Sequence, residues 1–147
     1  MKKSEVAVKL FTDGYNCAQA VFGAFAENLG VSESKALKLA APFGGGVGRQ
    51  REVCGAVSGM LMAFGLLYGY DTPETGDIKM QHYERTRALC DEFAKINGSI
   101  ICRDILKTKE IGGTPEARTE QYYHERPCVR CVCTAAEILE EYINNDN

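Results

Sequence analysis

From Val53 to Gly69 the chain runs for seventeen residues without a charged side chain. So apolar a stretch has to be buried, and it falls short of the ~20 residues that a helical bilayer span needs. Gly55, Gly59 and Gly65 interrupt it, which favours close packing within a protein over exposure to lipid. The prediction is a helix, apolar on all its faces, at the centre of a helical bundle. The remaining residues have to cover it. A chain of 147 residues is long enough for one domain with a core and short for two, and 45% hydrophobic with 25% charged residues is a globular rather than a disordered composition. A net charge of -3 excludes the basic footprint of a nucleic-acid binder. Behind Met1-Lys2-Lys3-Ser4-Glu5 there is no apolar stretch of the kind a secretory signal requires. The expectation is a cytoplasmic protein without a membrane span.

Helical periodicity extends through most of the chain. A short amphipathic helix is predicted from Ser4 to Thr12. The next carries Cys17, Ala20, Val21, Ala24, Phe25 and Leu29 on one stripe, with Asn16 as cap, Gln19 in capping-box position and Gly30 as stop. Ser32 opens a helix that reaches Ala41 before Pro42. Thr72-Pro73-Glu74 reads as the start of a long helix to Ile96, closed by Gly98. Thr114-Pro115-Glu116 reads as a second such start, for a short helix to Tyr123. The last helix follows Pro127 and buries Val132, Ala135, Ala136, Leu139 and Ile143. No segment alternates convincingly enough for a strand. The expected architecture is an all-α, single-domain bundle of about six to eight helices, spanning residues 1–147.

Seven cysteines in such a chain demand an explanation. The number is odd and no export signal is visible, so metal ligation, thiol redox chemistry or core filling are better readings than a disulfide frame. Cys17, Cys54, Cys102 and Cys128 all fall at predicted helix amino ends, where unpaired N–H groups and the helix dipole favour thiolate over thiol. Thiolate is the form that attacks disulfides and binds metals. Cys131 lies one turn beyond Cys128, in a single C-x-x-C that is a weak metal signal by itself. Valine at 132 rules out a c-type haem attachment motif. Cys90 reads as core and Cys133 as an exposed thiol among Glu137, Glu140 and Glu141.

The run Gly44-Gly45-Gly46-Val47-Gly48-Arg49-Gln50-Arg51 is either a turn that lets helices approach or a backbone nest for an anion. In the second case Gly45, Gly46, Gly48, Arg49 and Arg51 would hold an anionic group or the Cys54 thiolate. It matches neither phosphate-loop nor dinucleotide fingerprints. His82 and His124 read as surface or core residues rather than ligands.

Asn16-Cys17-Ala18, Cys54-Gly55-Ala56-Val57-Ser58-Gly59, Cys102-Arg103 and Cys128 followed by Ala135-Ala136-Glu137-Ile138-Leu139 resemble the bacterial family C_GCAxxG_C_C. Its name describes four dispersed cysteines with Cys-Gly-Ala-x-x-Gly at the second. The resemblance implies a redox-active protein, an oxidoreductase if it is an enzyme, with Cys17, Cys54, Cys102 and Cys128 as its working set. It also implies a functional link to a transporter, and a related domain in a multihaem cytochrome adds an iron–sulfur cluster as a candidate cofactor. Thiol–disulfide exchange with an unidentified redox partner and four-thiolate cluster ligation stand as the leading readings. Zinc held by the same four cysteines, with Cys131 as a further candidate ligand, stands behind them. A helical interaction module with buried cysteines is the reading without chemistry. So apolar a central helix would also suit a homodimer.

Overall fold

A computed structural model describes residues 1–73 and 76–146, and among these the chain is all-α, with one isolated bridge and no strand. Eight helices follow in order: α1 Lys3–Thr12, α2 Cys17–Phe25, α3 Glu33–Ala40, α4 Gly55–Tyr68, α5 Asp77–Asn97, α6 Cys102–Leu106, α7 Glu120–Glu125 and α8 Cys128–Asn145. The Asn16 capping box forms as expected. Its Oδ1 accepts from Gln19 N at 2.9 Å, and Gln19 Oε1 accepts from Asn16 N at 3.0 Å. Caps of this kind contribute about 1 kcal/mol each. Ser32 caps α3 in the same way, and Gly30 and Gly98 end their helices in the left-handed conformation.

The centre of the bundle is α2, which packs on α1, α3, α4 and α8. Ala18 and every residue from Ala20 to Phe25 are buried. The uncharged helix α4 lies against it but keeps one flank open, with Leu66 57% exposed. Small residues explain the order. A Cβ on Gly59 would stand 2.7 Å from Ala18 O, and one on Gly55 would stand 3.1 Å from Ala18 N. The two glycines thus let α4 press directly on the α2 backbone. In α8, Val132, Ala135, Ala136 and Leu139 are buried as expected, and Ile143 is half-buried.

Two helix starts differ from expectation. The long helix α5 begins at Asp77, after Gly76 at φ 81, rather than at Thr72; Glu74 lies outside the described residues. Residues 114–118 are not helical either. The hydroxyl of Thr119 caps α7 through Tyr122 N, while Arg118 is pulled aside to the carbonyls of Phe11 and Tyr15 at 3.1 Å each. No helix among the described residues is long and apolar enough to cross a membrane.

Candidate functional site

The four cysteines selected for their helix-end positions stand at helix amino ends. Cys17, Cys102 and Cys128 are the first residues of α2, α6 and α8, and Cys54 is the N-cap of α4. The Val53–Ile101 bridge sets two of them on adjacent segments: Cys54 N donates to Ile100 O and Cys102 N donates to Glu52 O, both at 2.7 Å. All four, together with Cys131, line one cavity of about 330 Å³.

Within the cavity the thiols are paired. Cys17 is the thiol neighbour of Cys128, and it is the main reason that the Cys128 pKa is lowered to about 7, with Arg126, Arg118 and Arg51 adding to it against burial. Cys17, which is half-buried, is itself pushed well up by Cys128 and by burial. Cys131 is the neighbour of Cys54, whose pKa is lowered chiefly by that neighbour and also by the N–H groups of Ala56 and Val57 at the start of α4. Cys131 itself is pushed up by Cys54 and by burial, and its S–H also faces Asn97 Oδ1 at 3.7 Å. Cys102 pairs with no thiol. Arg51 Nη1 stands 3.7 Å from its sulfur, but burial outweighs the guanidinium and raises the thiol.

Helix N–H groups therefore help lower the pKa of only one of the four, Cys54; Cys128 is lowered by Cys17 and the arginines. Desolvation opposes the dipole at every one of them, and the thiol–thiol pairing decides which partner of a pair keeps its proton. Cys54 is held by its own helix and by Cys131, not by the glycine-rich run.

That run forms an unusual piece of backbone. Every residue from Gly45 to Arg49 has positive φ, between 58° and 74°, and Arg51 follows at 62°. Val47, Arg49 and Arg51 have side chains that the left-handed region disfavours by roughly 1–2 kcal/mol each. Gly46 has no alternative, because a Cβ there would lie 2.6 Å from Glu52 N and 2.8 Å from Cys102 Cβ. The N–H groups of Gly48 through Glu52 are all consumed by carbonyls of residues 42–47, so this half of the turn is no open nest. What the turn does is aim two arginines inward. Gly45, Gly46, Gly48, Arg49 and Arg51 all line the cavity, and Arg51 is only 3% exposed.

Sequence reasoning missed the opposite wall. Arg118 and Arg126 line the cavity beside Cys128, with guanidinium groups 5.0 and 4.9 Å from the Tyr122 ring centroid. Arg126 is ion-paired with Glu116. Arg126 immediately precedes Pro127-Cys128, which was the one local sign of a cation near that thiol. Cys131 was ranked a helper, but it is 1% exposed and paired with Cys54. Cys90 and Cys133 are half-buried and do not line the cavity. Burial, and then the bond its thiol donates to Glu137 Oε1 at 3.1 Å, push Cys133 up to about 11. Of the histidines, His82 stacks on Phe64 and His124 is exposed.

Four-sulfur ligation requires thiolates converging on one centre. The five thiols stand instead as two pairs and one arginine-facing thiol. Among the described residues no three Cys, His, Asp or Glu side chains are placed to hold a metal ion.

The comparisons with known proteins assign no reaction. An "Uncharacterized protein" of Archaeoglobus fulgidus is 27% identical over 93% of this chain and 90% of its own length. No solved structure matches the chain. Residues 15–142, a span that holds all five cavity cysteines, match the family described as "Putative redox-active protein (C_GCAxxG_C_C)", and the chain belongs to that family.

Proposed function

We propose that this protein carries out thiol–disulfide exchange through two cysteine pairs, Cys17–Cys128 and Cys54–Cys131. The observation that carries this reading is that Cys17, Cys54, Cys128 and Cys131 line one cavity as pairwise neighbours, with a lowered pKa on one member of each pair and a raised one on the other. This is the division of labour that exchange needs. A thiolate near neutrality attacks, and a protonated neighbour waits to resolve the mixed disulfide.

In the first pair, Cys128 thiolate attacks one sulfur of an external disulfide. A bond forms between Cys128 Sγ and that sulfur, the external S–S bond breaks, and the first thiolate leaves and takes a proton from water. Cys17 then gives up its proton and attacks Cys128 Sγ. The Cys17–Cys128 disulfide forms and the second external thiol departs. The protein dithiol loses two electrons, and the external disulfide gains them. With Cys54 attacking and Cys131 resolving, the second pair repeats the sequence.

Oxidising the fully reduced protein with a small disulfide, blocking free thiols by alkylation and mapping peptides by mass spectrometry tests the reading. The expected products are Cys17–Cys128 and Cys54–Cys131, with Cys90 and Cys133 alkylated. Scrambled pairings, or no disulfide at these positions, would refute it.

Ligation of an iron–sulfur cluster, or of zinc, is the second reading. It is favoured by one observation, the opening of Cys17, Cys54, Cys102 and Cys128 onto a single cavity. It requires the pairs to part and turn to a common centre. Anaerobic purification with iron, zinc and sulfide analysis decides between the two: stoichiometric metal would replace the dithiol reading.

A further inference from the structure

The chain as a whole carries a charge of -3, yet its cysteine cavity is lined by four arginines and a single carboxylate, Glu116. Nearby arginines that have a carboxylate in reach use it: Arg126 pairs with Glu116, and Arg103 with Glu52 at 2.7 Å. Arg49, Arg51 and Arg118 have no such partner among the described residues. Arg49 and Arg51 donate instead through Nε to the backbone carbonyls of Gly112 and Glu110, at 2.8 and 3.1 Å. Arg118 donates to two carbonyls and lies over the Phe11 ring at 4.5 Å. Those bonds orient the guanidinium groups but do not neutralise them.

Arg51 is the sharpest case. It is almost fully buried, and a buried charge without a counter-charge is strongly disfavoured. The thiol it faces, Cys102, stays protonated. Of the thiolates, Cys54 is held by Cys131 and the α4 amino end, and Cys128, which Arg51 helps to lower, is shared with Arg126 and Arg118, so the cavity's cations still outnumber its anions. The left-handed turn adds an independent observation. Backbone strain at Arg49 and Arg51 persists only where the surroundings insist on it, and both strained residues put cations on the cavity wall.

We infer that the cavity binds a small disulfide or thiol bearing a carboxylate or comparable anionic group, seated on Arg51 with Arg49 and Arg118 and presented to Cys128. The assignment of substrate class rests on the dithiol reading above. A volume of about 330 Å³ lies at the low end for small-molecule sites, which suits a compact ligand rather than a protein's disulfide loop. The anionic group would complete the charge balance at Arg51, and the sulfur would meet Cys128 beside Arg118 and Arg126. Exchange then proceeds as written above, with two anionic thiols released for each disulfide consumed.

The test uses the whole reduced protein and three probes that differ in charge: dithiodiglycolate, bis(2-hydroxyethyl) disulfide and cystamine. Formation of the Cys17–Cys128 disulfide is timed with each, and every rate is divided by the same probe's rate with a free reference thiol. The normalised rate for the dianionic probe should exceed that for the neutral one at least tenfold, the scale of one charge-assisted hydrogen bond, with the dicationic probe slowest. Arg51→Gln should cut the anionic-to-neutral ratio by about the same factor; should that variant not fold, the ratio is read in Arg49→Gln. Because a ratio is compared, a change in the Cys128 thiolate population drops out. Equal normalised rates for the three probes, or a preference that survives the substitution, would overturn the anion site and leave the dithiol chemistry standing. Failure of all three probes to form the Cys17–Cys128 disulfide would overturn the reading on which it rests.

Discussion

Replacing Cys17 by alanine removes the neighbouring thiol that does most to hold Cys128 at about 7, while Arg126, Arg118 and Arg51 remain. A hydrogen bond to a charged group is worth ~1.5–3 kcal/mol, which moves a pKa by roughly one to two pH units. The Cys128 pKa should therefore rise to between about 8 and 9, with the arginines keeping it toward the lower figure. At pH 7 the thiolate fraction falls from about one half to roughly 1–10%, so alkylation of Cys128 slows by about 5- to 50-fold. At pH 10 both proteins are mostly thiolate and their rates converge. A timed pulse of iodoacetamide from pH 5 to 10, followed by trypsin and mass spectrometry, measures this directly. Trypsin cleaves after Arg130, which separates Cys128 from Cys131 and Cys133. A midpoint that stays near 7 in Cys17→Ala would refute the pairing, and a wild-type midpoint near 9 would refute the lowered pKa itself.

The glycine-rich turn offers an internal contrast. Gly46→Ala drives a Cβ into Glu52 N and Cys102 at φ 74 and should cost about 2–5 kcal/mol by urea unfolding, whereas Gly48→Ala, with open space around it at φ 58, should cost only about 1–2 kcal/mol. Asn16→Ala removes both the α2 cap and the Asn16 Nδ2 donor to Ala41 O at 3.0 Å, and should lower stability by about 1–2 kcal/mol in the same assay. Cys90→Ser and Cys133→Ser, both away from the cavity, should leave the oxidation products and the Cys128 titration unchanged when followed by peptide mapping.

Most helices announced themselves through local chemistry. Asn16 with Gln19, Ser32 with Lys35, and Gly30 and Gly98 at helix ends each form short-range bonds or left-handed caps that depend on a few neighbouring residues. Thr114-Pro115-Glu116 carried the same kind of signal and misled, because Arg118 is recruited by carbonyls more than a hundred residues away and Thr119 caps the helix instead. The placement of Cys17, Cys54, Cys102 and Cys128 at helix amino ends was legible for a similar reason. Helix amino ends are a local property, and the family motif marks the same positions. Which thiol keeps its proton was not legible, since that depends on contacts between α2, α4 and α8. The pairing of Cys131 with Cys54 and the wall of Arg118 and Arg126 likewise arise only when distant segments meet. Glycine at 55 and 59 was read correctly as permission for close packing; that α2 rather than α4 takes the centre follows from how much of α4's flank the other helices leave open.

In the dithiol reading each attacking thiol neighbours its resolving partner in the reduced state, so folding and oxidation are thermodynamically linked. Cys17 and Cys128 are more than a hundred residues apart, so the unfolded chain meets a large loop-closure cost that the native packing has already met. In the chain-entropy description a loop of that length is worth about 4–5 kcal/mol against unfolding. The oxidised protein should therefore unfold at clearly higher urea concentration than the reduced protein. By the same cycle, the native disulfide should be harder to reduce than the same bond in the unfolded chain, by about 100 mV for a two-electron couple. Titration against glutathione buffers, with and without denaturant, in a variant retaining only Cys17 and Cys128, reads both quantities. Equal urea midpoints for the oxidised and reduced forms would mean that the native packing must be pulled apart to make the bond, and would count against a pair arranged for exchange.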